Sequence, residues 1–127
     1  MPSHSDEVLF WRNIDALVTG SGIVIDRQKG STHPRYPEFV YPHDYGYLEG
    51  TVSGDGQGID VWVGSSQGDR ATAVICTVDL TKRDAEIKIL IDCLPQEIDT
   101  IHEFHNAGDQ AGALLRRPVA EADKENE

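Results

Sequence analysis

The stretch YPHDYGYLEGTVSGDGQGIDVWVG, residues 41–64, contains three tyrosines, four carboxylates and six glycines, but no lysine or arginine. Its central glycines allow the backbone to bend without a Cβ penalty. Asp55 and Asp60 flank this compact loop, which leads into the strand-like run at 59–63. Oxygen-rich loops of this kind suit hard cations such as Mg²⁺. From the spacing alone, however, a hairpin turn with solvated aspartates is the favoured interpretation.

On both sides of this stretch, the pattern of apolar residues predicts a small protein built mainly of β-strands. We predict strands at 22–26, 39–41, 45–52, 59–63, 71–80 and 85–92. We predict helices at 5–18 and 95–106. The first helix carries an apolar stripe at helical period, formed by Phe10, Ile14, Leu17 and Val18. Short strands separated by Gly, Ser and Asp are typical of a small barrel or sandwich.

The length and charge of the chain limit its organisation and its partners. The chain has 127 residues, so we expect a single domain over 1–118, followed by an acidic, disordered tail over 119–127. Its formal net charge is −11, which repels nucleic acid and anionic membranes. The chain has no apolar run of the ~20 residues that span a bilayer and no signal-peptide pattern. We therefore expect a cytoplasmic protein.

Two further features bear on cysteine chemistry and assembly. Cys76 and Cys93 lie in apolar, β-branched runs, and no CxxC pair exists, so we expect two buried free thiols rather than a zinc site. The apolar face of the helix at 5–18 can pack on its own barrel or on a second copy, so a homo-oligomer is left open.

The run TKRDAEIKILIDC, residues 81–93, places unlike residues on its two faces if it is a strand. Asp84, Glu86 and Lys88 share one face, and Ala85, Ile87, Ile89 and Ile91 share the other. This pattern predicts an apolar face in the core and a charged face in a surface cleft. The alternative is a solvated strand face with weak ion pairs.

The segment YPHDYGY, residues 41–47, places Tyr41, Tyr45 and Tyr47 on one face if it is extended. Phenol groups can donate hydrogen bonds to phosphate oxygens without adding charge. The alternative interpretation is aromatic packing at the edge of a barrel.

Taken together, YP-x-x-YGY followed by T-x-x-x-DG-x-x-x-D-V resembles the soluble family I inorganic pyrophosphatases. The resemblance is most specific over 39–63 and continues weakly to Lys88. It implies a mainly β (α+β) fold: a small five-stranded OB-like β-barrel with an N-terminal and a C-terminal helix. It also implies hydrolysis of pyrophosphate, a small anionic substrate, with Mg²⁺ ions held by aspartates.

The resemblance assigns roles to residues that match the family motifs. Asp55 and Asp60 match metal ligands, and Gln57 stands where the family carries the aspartate that activates water. Glu86 and Lys88 match an acidic-x-Lys element, with Glu in place of Asp. A further metal-binding aspartate precedes this element. The candidates for it are Asp79 first and Asp84 second.

The substrate end of the site departs further from the family. Tyr45 matches a phosphate-contacting tyrosine, and with Tyr41, Lys88 and one arginine it forms the expected substrate-binding set. The arginine is Arg35 or Arg27. The early Lys-x-Glu strand of the family reads Gly22-Ile23-Val24 here, and its late Tyr-Lys pair reads His105-Asn106.

The resulting prediction is a Mg²⁺-dependent hydrolase of phosphoanhydrides, with inorganic pyrophosphate as substrate and Asp60, Gln57, Lys88 and Tyr45 at the catalytic centre. Two alternatives remain open. The same site could hydrolyse a different phosphate compound, or the fold could bind metal, phosphate or a partner without catalysis.

Overall fold

The computed structural model describes residues 4–118, and the tail predicted over 119–127 lies outside the described residues. The helices are α1 (His4–Thr19) and α2 (Pro95–Phe104). The strands are β1 (Ile23–Arg27), β2 (Asp44–Leu48), β3 (Asp60–Val63), β4 (Ala71–Asp79), β5 (Asp84–Ile91) and β6 (Gln110–Arg116). Both predicted helices and most of the predicted strands are therefore confirmed to within a few residues.

The six strands form one mixed sheet in the order β1-β2-β3-β5-β4-β6. Neighbouring strands are antiparallel except β3 and β5, which run parallel. The sheet is not closed, because β1 and β6 have one strand neighbour each. The mainly β fold with two helices agrees with an OB-like architecture, but the expected count of five strands is wrong.

Two differences separate the strands predicted along the chain from the strands observed, one strand gained and one lost. β6 was not predicted, because its sequence QAGALLR has no alternation of apolar and polar residues, and three of its seven residues are Gly or Ala. Pairing with β4 over its whole length holds it in place instead. Conversely, the strand predicted at 39–41 is reduced to an isolated bridge between Thr32 and Val40.

Helix α1 covers one face of the sheet through Trp11, Ile14 and Val18, each below 10% exposed. Two residues of the predicted stripe, Phe10 and Leu17, are instead 37% and 40% exposed. The buried stripe is thus shifted by one residue at its start. The sheet contributes the rest of this core, chiefly Leu48, Val61, Val74, Ile89 and Ile91.

Helix α2 covers the opposite face and packs with Ile98 and Ile101 against Trp62 and Leu90. Pro95 opens the helix at a position where its missing N–H is not needed. The Glu97 carboxylate accepts hydrogen bonds from the Leu94 and Ser65 amides, at 2.7 and 3.1 Å. These bonds fix the start of α2 beside the end of β3.

The apolar face of β5 enters the core at Ile89 and Ile91, as the sequence predicts, but Ile87 departs from this division. Lys88 is 6% exposed, whereas Ile87 is 38% exposed, because α1 covers Ile89 and Ile91 but leaves Ile87 in solvent. The charged face is therefore the buried one at this end of the sheet. The same lack of cover makes Cys76 exposed, which corrects the prediction of two buried thiols, while Cys93 is buried as expected.

Gly46, in the middle of β2, is required by the packing of β1 on β2. A Cβ at this position would lie 1.7 Å from the Val24 carbonyl oxygen and 2.9 Å from the Ile25 Cα. No side chain can occupy that space, so glycine allows the two backbones to pair closely. This contact fixes β2 between β1 and β3.

Candidate functional site

Strand register brings four of the predicted site residues to one face of the sheet. Asp60 is the partner of Lys88 across the parallel β3–β5 pair, and Tyr45 is the partner of Trp62 across β2–β3. Opposed residues in neighbouring strands project to the same side, and so do residues two apart in one strand. Tyr45, Asp60, Glu86 and Lys88 therefore share the face that α2 covers.

Lys88 lies at the centre of this group. Its ammonium donates hydrogen bonds to Asp60 Oδ2 at 2.8 Å, Tyr45 Oη at 2.9 Å and Glu86 Oε2 at 3.2 Å. Burial alone would lower the pKa of Lys88, but its contacts with Tyr45 and Asp60 raise it. Burial raises the pKa of Tyr45, which keeps its hydroxyl protonated. A fixed ammonium and a phenol donor can together bind an anion.

Two carboxyl groups, those of Asp60 and Glu86, contact Lys88, and that of Asp55 lies near Glu86. Glu86 lies close enough to both Asp60 and Asp55 for their charges to act on its carboxyl group. Burial raises the pKa of Glu86, and the two nearby aspartates raise it further. The Ser53 hydroxyl and the Gln57 amide lower the pKa of Asp55 through hydrogen bonds of 2.6 and 2.9 Å.

The chemistry of these donors fits Mg²⁺, because clustered carboxylate oxygens are its preferred ligands in proteins. Lys88 donates a hydrogen bond to Glu86 at 3.2 Å and to Asp60 at 2.8 Å, so one cation already partly balances these carboxylates. Within residues 4–118, however, no three His, Cys, Asp or Glu side chains are already arranged as a metal-binding group. The structure thus contains the ligand types without a finished coordination shell.

The remaining predicted metal ligands lie at the far end of the β4–β5 hairpin, where Asp79 and Asp84 are direct partners. Asp79 accepts hydrogen bonds from the Lys82 amide at 3.0 Å and from Gln110 Nε2 at 3.3 Å, and the first of these does most to lower its pKa. Asp79 lines the cavity beside Lys88, whereas Asp84 does not.

A cavity of about 220 Å³ opens beside Lys88 on the same face. Of the predicted residues, Tyr41, Tyr45, Asp79 and Lys88 line it. Its other walls are formed by His33, Tyr36, Phe39, Lys82, Phe104, His105, Ala107 and Gln110. Lys82 forms no ion pair with any residue in the described part of the chain. The cavity therefore offers two ammonium groups.

The two candidate arginines are in different surroundings. Arg27 contacts the Tyr41 hydroxyl, although burial outweighs this contact and raises the pKa of Tyr41. Arg35 is exposed, and its backbone amide donates to His33 Nδ1 at 3.0 Å. The structure therefore brings Arg27, and not Arg35, to the tyrosines of the site.

Gln57 is exposed, and its hydrogen bonds are made by its backbone. Its backbone N–H donates to Asp55 Oδ1, and its backbone carbonyl oxygen accepts from the Ser53 N–H at 2.7 Å. These bonds close the glycine-rich loop and hold the Asp55 carboxylate beside Glu86. In the structure, Gln57 thus supports the position of Asp55.

A buried polar chain, which sequence reasoning missed, continues from the core to the cavity. Trp62 Nε1–H donates to His105 Nε2 at 2.9 Å, so the ring proton of neutral His105 lies on Nδ1 and donates to Gln110 Oε1 at 2.7 Å. Burial lowers the pKa of His105 to about 4, which keeps it neutral. Trp62 lies 43 positions from His105 in sequence, and no local pattern connects the two.

Comparisons with known proteins agree with the fold. No protein-family model matches the sequence, and no curated protein matches it. The chain is similar to an inorganic pyrophosphatase from Neisseria gonorrhoeae, with a TM-score of 0.60 and 20% identity over 81% of this chain and 84% of that one.

Two further solved structures are similar. An inorganic pyrophosphatase from Helicobacter pylori has a TM-score of 0.53 and 16% identity, covering 82% of this chain and 88% of its own. One from Coxiella burnetii has a TM-score of 0.54 and 16% identity, covering 82% and 90%. At these identities the likeness establishes the fold alone. The chain therefore has the fold of these inorganic pyrophosphatases.

Proposed function

We propose that the protein is a Mg²⁺-dependent hydrolase of phosphoanhydrides, with inorganic pyrophosphate as its simplest substrate. One observation carries the proposal. The Lys88 ammonium donates hydrogen bonds to Tyr45, Asp60 and Glu86 beside a cavity, in a protein with the fold of inorganic pyrophosphatases. A buried cation and phenol beside clustered carboxylates suit a polyanion that arrives with a metal ion.

Asp55, Asp60 and Glu86 would hold Mg²⁺, and Asp79 or Asp84 could add a ligand from the β4–β5 hairpin. When bound, Mg²⁺ lowers the pKa of a coordinated water and balances charge on phosphate oxygens. The protein's own contribution is to bring carboxylates from three separate segments, the glycine-rich loop, β3 and β5, to one place.

Tyr45 would donate its hydroxyl proton to a phosphate oxygen, and Lys88, whose three N–H groups already donate to Tyr45, Asp60 and Glu86, would attract the phosphate through its positive charge. The raised pKa values of Tyr45 and Lys88 keep the phenol protonated and the ammonium charged across the neutral pH range. Arg27, beside Tyr41, can offer two parallel hydrogen bonds to a terminal phosphate. Small anionic phosphate compounds are therefore the partners we propose for this site.

Gln57 limits the rate in this proposal. A neutral amide cannot accept a proton as a carboxylate does, and general-base help typically contributes about 10²–10⁴ in rate. We therefore expect slow turnover. The same residue favours the alternative that the site binds metal and phosphate without catalysis.

Phosphate release from pyrophosphate, with and without Mg²⁺, tests the proposal, beside nucleotides and sugar phosphates as competing substrates. Release should require Mg²⁺ and should fall strongly in Asp60→Asn. Glu7→Gln is the matched control, because Glu7 lies on α1, which covers the opposite face of the sheet. Absence of release from every compound in the panel would leave only the non-catalytic alternative.

A further inference from the structure

The cavity beside Lys88 has a continuous aromatic wall that a purely inorganic substrate does not require. Starting from the Lys88 ammonium, the Tyr45 ring lies 5.4 Å away, and the Tyr41 ring is 5.5 Å beyond it, centroid to centroid. Phe104 is 5.6 Å from Tyr41, and Phe39 is 6.3 Å from Phe104. The wall thus leads from the phosphate-binding end to the mouth of the cavity.

Three rings at the mouth form what we call the aromatic rim: His33, Tyr36 and Phe39. Tyr36 is 46% exposed and Phe39 is 39% exposed, although both line the cavity. The Tyr36 ring lies 6.0 Å from Phe39 and 5.1 Å from His33. Exposed apolar surface clustered at a cavity is typical of a binding site for an apolar or planar group.

The loop that carries the rim is braced by its own backbone. The Phe39 amide donates to the Tyr36 carbonyl and the His33 amide to the Phe39 carbonyl, both at 2.9 Å. His33 Nδ1 accepts hydrogen bonds from the amides of Arg35 and Tyr36, at 3.0 and 3.2 Å. A rim held in this way is ordered before a ligand arrives, which lowers the entropy cost of binding.

We propose that the phosphoanhydride bound at this site is that of a nucleotide, whose base stacks on the aromatic rim while its phosphates bind Lys88. The inference rests on the proposed function, since the phosphate end is the same site. Lys82, the second ammonium of the cavity, adds charge for a longer phosphate chain. Each of the nucleotide bases has a planar π-face that aromatic side chains can stack on.

Hydrolysis of such a substrate is balanced without any further reactant. For ADP, the oxygen of water bonds to the terminal phosphorus as the bond from that phosphorus to the bridging oxygen breaks. The bridging oxygen leaves with AMP, and the products are AMP, inorganic phosphate and one proton. The rim residues take no part in this step and act only on binding.

Equilibrium binding of two matched, non-hydrolysable probes tests the inference: the methylene-bridged analogues of ADP and of pyrophosphate, each with Mg²⁺. Base stacking on an aromatic side chain corresponds to about 5- to 150-fold in affinity. Tyr36→Ala and Phe39→Ala should therefore weaken binding of the ADP analogue by that factor and leave the pyrophosphate analogue within about twofold. Phe10→Ala is the control, because Phe10 is a similarly exposed ring, at 37%, on the opposite face.

The outcomes separate this inference from the proposed function. If the ADP analogue fails to bind, or if both rim variants bind it as the parent does, the nucleotide inference is wrong, even when pyrophosphate is hydrolysed. If the rim variants lose the ADP analogue selectively but no anhydride in the panel is hydrolysed, the nucleotide site stands and the hydrolase proposal fails. Thermal unfolding of each variant confirms that the exposed substitutions leave the fold intact.

Discussion

Acid should destabilise this protein through His105, and the size of the effect follows from its burial. His105 is 4% exposed, and burial lowers its pKa from 6.5 to about 4. In the unfolded chain the ring binds a proton below about pH 6.5, whereas in the folded protein it does so only near pH 4. Between these values the unfolded state holds more protons, so folding stability must fall as the pH falls.

The magnitude follows from the difference between the two pKa values. Each unit of difference corresponds to about 1.4 kcal/mol, so the change from 6.5 to about 4 removes about 3 kcal/mol of stability. The full contribution is present above pH 6.5, and the loss is complete below pH 4. A small domain with a total stability of about 5–15 kcal/mol would show this clearly.

The assay is urea unfolding, followed by tryptophan fluorescence at several pH values between 4 and 7. His105→Gln should remove about 1.4 kcal/mol per pH unit from the slope in this range, relative to the parent. Gln110→Met is the control, because it keeps His105 buried while removing the acceptor of Nδ1–H, a contact that raises the His105 pKa. Its pH slope should therefore persist, with lower stability at pH 7.

Equal pH slopes in His105→Gln and the parent would refute the reasoning. In that case His105 is either protonated in the folded protein or accessible to water. Its hydrogen bond from Trp62 at 2.9 Å would then need another explanation, because a protonated ring has no acceptor nitrogen.

The remaining predictions concern the site and the sheet. Mg²⁺ should raise the melting temperature of the parent through preferential binding to the folded state, and Asp60→Asn should lose most of this rise in the same titration. Lys88→Met should weaken phosphate binding in calorimetry and lower the stability by less than the about 3–5 kcal/mol of a fully buried pair, since Asp60 and Glu86, which lose their cation, are only half-buried. Gln57→Asp should raise pyrophosphatase turnover about 10-fold or more with a steeper Mg²⁺ dependence, and no gain at saturating Mg²⁺ would argue against a hydrolytic site. Gly46→Ala should destabilise the protein strongly in urea unfolding, because its Cβ would lie 1.7 Å from the Val24 carbonyl oxygen.

The sequence by itself determined the local elements of this protein. The helical stripe near the N-terminus, the glycine-rich loop and the apolar runs of β4 and β5 each depend on residues close along the chain. Local periodicity and turn chemistry act over a few residues, so a reader of the sequence can recognise them. The motif at 41–64 also indicated the fold through its resemblance to the pyrophosphatases. The contact between Glu86 and Lys88 follows from their spacing of two residues along one strand.

The tertiary structure alone decided which residues meet and which faces are buried. Asp60 reaches Lys88 only because β3 and β5 pair in parallel, and His105 reaches Trp62 across 43 positions of sequence. The cover of α1 ends before Ile87, which leaves this residue exposed although Ile89 and Ile91 on the same face are buried. β6 exists because β4 offers it an edge, despite a sequence with little strand character. These outcomes depend on contacts between distant segments, and their free energy of packing is not encoded in any short stretch.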